Sequence, residues 1–150
     1  MPTAATCGCA PSCEPAVAIT AAVKLPIVWQ RLVSGGETCP RCDSTHEAIE
    51  HAVATLTEAL RSVNIEPTLE TIALDQATFD EAPTESNRIW IAGRPLEDWV
   101  GAEVSGSQCC SVCGTNDCRT LQVDGASYEA VPEMLIVKAG LAAASTLVRA

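Results

Sequence analysis

The chain has 150 residues, 47% of them hydrophobic, and a formal net charge of −10. A chain of this length buries one compact core without disulfide support. The acidic balance leaves no basic stripe, so attraction to a phosphate backbone cannot drive nucleic-acid binding, and an anionic membrane surface repels the chain.

Residues 1–24, rich in Ala, Pro and Thr, read as a flexible arm carrying Cys7, Cys9 and Cys13 in CGCAPSC. The arm has no basic leading segment. Its longest apolar run, Ala16–Val23, is short for a secretion signal and far too short to span a bilayer. The chain holds nine cysteines, an odd number that cannot pair off internally, and a secreted disulfide-stapled module is normally shorter with an even count. The expectation is a cytoplasmic protein whose cysteines stay mostly reduced or metal-bound.

PIVWQRLV (Pro26–Val33) is dense in β-branched residues and is expected to form the first strand. Gly35-Gly36 and the turn Cys39-Pro-Arg-Cys42 follow. From Thr45 to Val63, apolar residues at Ile49, Ala52, Val53, Leu56, Leu60 and Val63 mark an amphipathic helix. IEPTLETIAL (Ile65–Leu74) reads as a second strand, with Pro67 favouring a sheet edge. DQATFDEAPTES is expected as a loop or short helical turn, and NRIWIAGRPLEDWVG as two short strands joined at Ala92-Gly93. A cysteine-rich loop is expected over Ser105–Thr120, then a small hairpin turning at Asp124-Gly125. Pro132 opens a last helix running to about Leu147. Its residues are apolar on nearly every side, so it is expected to lie on a sheet face or in a homodimer contact.

The order strand, CxxC, helix, strand, hairpin, helix resembles the thioredoxin-like core, with a cysteine-rich insertion. NRIWIAGRPLEDWVG resembles the glutaredoxin segment in which a proline precedes a strand, a glycine turn and a final strand. Across about Pro26–Leu147 the chain also resembles a bacterial and archaeal family classed only as thioredoxin-like proteins of unknown function. The stretches that carry this are ETCPRC, SNRIWIAGRPLEDWVGAEV, CCSVCG, CRTL and YEAVPEMLIVKA. The resemblance implies a thioredoxin-like domain over residues 25–150 and supplies no settled activity. Where thioredoxins place a cis-proline facing the dithiol, the matching residue is Asn87, for which a trans peptide is expected. In thioredoxins that proline shapes a groove for the substrate backbone and keeps metals off the dithiol. Its absence favours metal or metalloid binding over general disulfide reduction.

Cys39 and Cys42 are the candidate catalytic pair. With Cys39 as the helix N-cap and Pro40 at the first helical position, the helix N-terminus stabilises a Cys39 thiolate. With Ser44 as N-cap, in the capping box Ser44-Thr45-His46-Glu47, Cys39 sits on a loop and the pair reads as half of a metal knuckle. Arg41 favours thiolates in either register. His46 is a candidate proton shuttle or ligand; for it and His51 the plainer reading is a surface residue.

CCSVCGTNDC supplies the candidate metal ligands Cys109, Cys110, Cys113 and Cys118. Soft thiolates at this density select zinc, Cu(I), mercury or iron–sulfur chemistry over magnesium or calcium. The thioredoxin-like resemblance places this loop beside the CxxC turn, so Cys39 and Cys42 could share the site. A structural zinc or disulfide clip is the blander alternative. Cys7, Cys9 and Cys13 are weaker candidates: their C-x-C spacing resembles soft-metal carriers, and a tail without a role explains them as well.

Phosphate-binding, hydrolase and zincin motifs are absent, and neither a nucleotide nor a flavin is expected. Glu97-Asp98 and Asp80-Glu81 fit solvated edges and turns, and Asn87-Arg88 fits either an anion or thiolate contact or a structural turn. The sequence therefore points to thiol-based binding of, or redox chemistry on, a soft metal or metalloid of the mercury, arsenic or copper class. Its rivals are a thiol–disulfide oxidoreductase acting on protein or small-molecule disulfides, and a non-catalytic zinc–thiolate protein.

Overall fold

The structure is a computed structural model that describes residues 20–109 and 113–148. Strand β1 (Val23–Leu32) is followed by helix α1 (Pro40–Leu60), a short 3-10 turn (Arg61–Val63) and strand β2 (Ile65–Leu74). The short helix α2 (Gln76–Glu81) leads to β3 (Arg88–Ile91), the two-residue β4 (Arg94–Pro95) and α3 (Leu96–Val100). Strands β5 (Glu103–Gln108), β6 (Asp117–Val123) and β7 (Ala126–Tyr128) precede the last helix, α4 (Glu133–Val148). The fold is a mixed α/β arrangement with two sheets, one ordered β2–β1–β3–β4 and a smaller antiparallel one ordered β5–β6–β7. β1 and β2 are parallel around the α1 crossover, and β3 runs antiparallel to β1.

Alternation along β1 buries Leu25, Ile27 and Trp29. That face meets α1: the Trp29 ring stacks on His46 at 5.1 Å, and the Trp29 indole N–H reaches the Asn87–Thr45 pair. Ile49, Ala52 and Leu56 form the buried stripe of α1 at the spacing the sequence predicts. Helix α4 packs on α1 and α3 and buries Leu135, Ile136, Ala139, Gly140, Ala143 and Ala144, so much of its apolar surface is covered within the chain. Met134, Leu141 and Val148 stay exposed. No helix among the described residues is long and apolar enough to cross a membrane.

Gly140 sets the closeness of the two helices. A Cβ there would meet the side chain of buried Leu56 at 2.5 Å. Gly140→Ala is therefore expected to destabilise the fold by about 1–2 kcal/mol, overpacking outweighing alanine's better helix propensity. Urea unfolding of the two proteins measures it.

Several expectations change in the folded chain. β1 starts at Val23, inside the stretch read as an arm, because Val23 pairs with Ile65 at the end of β2. The second strand of the expected Asn87–Gly101 hairpin shrinks to Arg94–Pro95, and Leu96–Val100 turns helical. Proline has no N–H to extend the ladder, and Gly101 closes the turn in the left-handed region at φ 67°. Both ends of the Ser105–Thr120 stretch are strand and not loop: β5 and β6 pair from Glu103↔Gln122 to Gln108↔Asp117, leaving Cys109 and Cys113 between the strands and Cys118 on β6. The hairpin at Asp124-Gly125 forms as expected, with both residues at positive φ. Pro67 lies on β2, which is a sheet edge.

Candidate functional site

Helix α1 begins in the first of the two registers. Cys39 is its N-cap, in extended backbone (φ −80°, ψ 158°), and its sulfur accepts the Cys42 N–H at 3.4 Å. Pro40 fills the first helical position, which needs no N–H. Ser44 lies inside the helix, so the competing capping box does not form.

Strand β5 delivers the second cluster to this cap. Cys109 follows the last residue of β5, and its sulfur donates to Cys39 Sγ at 3.6 Å. The sulfurs of Cys39, Cys109 and Cys113 all lie within 4.8 Å of one another. Cys39 and Cys113 are buried, and Cys109 is half-buried. Cys118, buried on β6, adjoins Cys109 and Cys113. Cys42 is buried one turn into α1, with its sulfur 3.9 Å from the Ser86 hydroxyl. None of these five thiols is in a disulfide. Cys7, Cys9, Cys13 and Cys110 lie outside the described residues.

Arg41 does more than supply charge, and sequence reasoning missed its main contacts. Its guanidinium donates to the Ser107 carbonyl and hydroxyl at 3.4 and 3.1 Å and to the Gln108 carbonyl at 3.2 Å. Glu129 lies 3.4 Å away on its outer side. The side chain is only 7% exposed. The residue between the two CxxC cysteines thus ties down the end of β5 immediately before Cys109. Arg41→Ala is expected to weaken the hold of these sulfurs on any added soft metal ion on the order of tenfold, the lower range for loss of a group that orients a ligand. Competition titration against a chromophoric chelator measures this.

The sulfurs divide into one acid and its hydrogen-bond donors. Donation from the Cys42 thiol, then from its backbone N–H and the Cys109 and Cys113 thiols, outweighs burial and lowers the Cys39 pKa to about 5. Its bond to Cys39, burial and the Cys39 charge raise Cys42. Burial foremost, then the bond to Cys39, pushes Cys109 up to about 12. Burial, a bond to Cys118 and the Cys39 charge raise Cys113. At neutral pH Cys39 is a thiolate while Cys42, Cys109 and Cys113 stay neutral thiols. Because the folded pKa of Cys39 is depressed, its ionisation stabilises the fold above the ordinary thiol range, and that contribution is lost as pH falls through about 5. Thiolate absorbance in the ultraviolet should show a step near that pH in the reduced protein, and Cys39→Ser should abolish it.

Other singled-out residues fall elsewhere. His46 stacks on Trp29 and lies 3.6 Å from Glu50, half-exposed and apart from the three-sulfur group. His51 is exposed. Asn87 takes the structural role: it is buried at φ 61°, accepts from Trp29 Nε1 and donates to Thr45 Oγ1, both at 3.0 Å. No peptide bond among the described residues is cis. Arg88 pairs with Glu85 at 2.8 Å and covers the Trp90 ring. Glu97 is not at a solvated edge as expected; it is largely buried against Arg119, tying α3 to β6. Pairing keeps both charges tolerable there.

Residues 25–140 match the model of a family described as a domain of unknown function (DUF2703). The chain belongs to this family. An uncharacterized protein of Archaeoglobus fulgidus is 44% identical over 114 residues, which span 76% of this chain and 83% of the archaeal one. No solved structure gives a significant match. The DUF2703 match takes in both cysteine groups of the site and stops short of the arm cysteines.

Proposed function

We propose that this DUF2703 protein binds a thiophilic metal or metalloid ion through Cys39, Cys109 and Cys113. The observation that carries the reading is the approach of these three sulfurs within 4.8 Å of one another, two of them buried. Three sulfurs with no histidine or carboxylate among them suit soft ions, not magnesium or calcium. A trigonal sulfur set matches trivalent arsenic, with mercury(II) and Cu(I) as chemical neighbours. Cys39, already ionised, supplies the first bond, and the Cys109 and Cys113 thiols give up protons as the ion is bound.

The reading includes a thioredoxin-like assignment. The sheet order β2–β1–β3–β4, the parallel β1–α1–β2 unit, the reversed β3 and a CxxC that caps α1 all support it. Asn87 in place of the cis-proline fits an ion ligand at Cys39 better than a bound substrate backbone. Ligands that must stay reduced favour a cytoplasmic protein.

A zinc–thiolate reading has one observation in its favour: Cys118 adjoins Cys109 and Cys113 and offers the fourth sulfur that structural zinc requires. The two readings separate on Cys118→Ser. Anaerobic, reduced protein titrated with arsenite and read by native mass spectrometry should take up one arsenic per chain. Prior alkylation of the thiols should abolish uptake. Cys118→Ser should leave the arsenic stoichiometry unchanged. Stoichiometric zinc after purification, lost in Cys118→Ser and needed for folding, would establish the structural site instead.

A further inference from the structure

A sulfur pair that shares Cys39 with the CxxC dithiol is held at hydrogen-bond distance in this cluster. Cys109 donates to the Cys39 sulfur at 3.6 Å, across 70 residues of chain. Cys42 donates to Cys39 as well, through its thiol and its backbone N–H, but it is buried, with its sulfur beside the Ser86 hydroxyl at 3.9 Å. Access separates the two. A cleft of about 380 Å³ is lined by Pro40, Arg41, Ser44, Gln108, Cys109 and Glu129, with Ala130 at its edge. Cys109 is the cysteine in that lining; Cys39 and Cys42 are 2% and 3% exposed. A small molecule entering the cleft therefore meets Cys109 first and Cys39 directly behind it.

We propose that Cys39 and Cys109, and not Cys39 and Cys42, form the redox pair of this protein, and that the cleft admits a low-molecular-weight disulfide to them. The Cys39 thiolate attacks the disulfide R–S–S–R. A Cys39–S–S–R bond forms, the R–S–S–R bond breaks, and RS⁻ leaves. RS⁻ takes the Cys109 proton and departs as RSH. The Cys109 thiolate then attacks the Cys39 sulfur, forming the Cys39–Cys109 disulfide and expelling a second RS⁻. The protein loses two electrons and the small disulfide gains two. This activity goes beyond ion binding, and it consumes two of the three proposed ion ligands, so oxidation by this route empties the site.

The test uses the full reduced chain and hydroxyethyl disulfide as the probe. Trypsin cuts after Arg41, which puts Cys39 on Leu32–Arg41 and Cys42 on Cys42–Arg61; Cys109 lies on Ile89–Arg119. The expected product joins Leu32–Arg41 to Ile89–Arg119, with fragmentation placing the link at Cys109. Cys42→Ser should give the same link, and Cys109→Ser combined with Cys42→Ser should stop at a mixed disulfide on Cys39. A link from Leu32–Arg41 to Cys42–Arg61, or to Cys110 or Cys113 on the other peptide, overturns the proposal. So does failure of Cys42→Ser to form an internal disulfide. A mixed disulfide formed on Cys109 in Cys39→Ser at the wild-type rate overturns the order of attack. Arsenite uptake by the reduced protein is scored separately, so failure of the redox pair and failure of the ion-binding reading are distinguishable.

Discussion

Cys39→Ser is expected to lower arsenite affinity by at least on the order of a hundredfold, the upper range for changes to groups that only orient a ligand. Cys39 should cost more than such groups because it alone of the three proposed ligands is already held as a thiolate. A serine oxygen at the cap would still accept the Cys42 N–H, so α1 should begin where it does now. The loss should therefore appear in binding while thermal unfolding moves little. Cys42→Ser is the informative companion. Cys42 lies outside the three-sulfur group, and its backbone N–H survives the change. Its effect should be at most about tenfold. Equal losses in the two variants would show that the CxxC pair itself holds the ion. Isothermal or competition titration of both proteins, under reductant and without oxygen, decides it.

Asn87→Ala is expected to give the largest loss of stability, about 3–4 kcal/mol. Asn87 accepts from the Trp29 indole and donates to Thr45 Oγ1, which also accepts the Val131 N–H at 3.1 Å. One buried side chain thus links β1, α1, the start of β3 and the segment leading into α4. Alanine leaves the Trp29 N–H without a partner, a cost of about 1–3 kcal/mol. It also holds a Cβ-bearing residue lacking a local polar partner at φ 61°, which costs roughly 1–2 kcal/mol. Asn87→Gly separates these terms, because glycine adopts that φ freely and loses only the hydrogen bonds. It should fall short of Asn87→Ala by about 1 kcal/mol. Asn87→Pro should not fold, since the proline ring fixes φ near −65°, far from the value here. Guanidinium unfolding read by Trp29 and the other tryptophans measures the first two. A loss in Asn87→Ala below about 1 kcal/mol would mean that water replaces the missing amide.

The paired arms of the site were unequally legible in the sequence. Thr45 to Val63 announced itself as a helix because one stripe recurs at helical spacing, although its last three residues, Arg61–Val63, tighten to a 3-10 turn; Ile65–Leu74 announced itself as a strand by its composition. The start of α1 stayed open, since Cys39-Pro40 and Ser44 with Glu47 are both good starts. What settled it was Cys39 capping Cys42 in a chain already bent at Gly35 and Gly36, both at positive φ. The Ser105–Thr120 stretch looked like loop because its serines, glycines and cysteines carry weak strand propensity. Pairing with β6 supplied the strand that local preference did not. Glu97 read as solvated for a similar reason: nothing near it in sequence announces Arg119.

The sequence by itself determined the chemistry available to this protein: soft thiols in excess, no basic face, and a CxxC before an amphipathic helix. Those are properties of residue type and short-range spacing, so they survive without a fold. Only the tertiary structure decided which sulfurs meet. Cys39 and Cys109 are 70 residues apart, and their 3.6 Å contact depends on the β5–β6 register and on Arg41 holding the Ser107 and Gln108 carbonyls. Spacing grouped Cys109 with Cys110, Cys113 and Cys118, and Cys39 with Cys42. Folding instead gathers Cys39, Cys109 and Cys113, because strand alternation and a helix cap orient sulfurs by backbone geometry and not by their order along the chain.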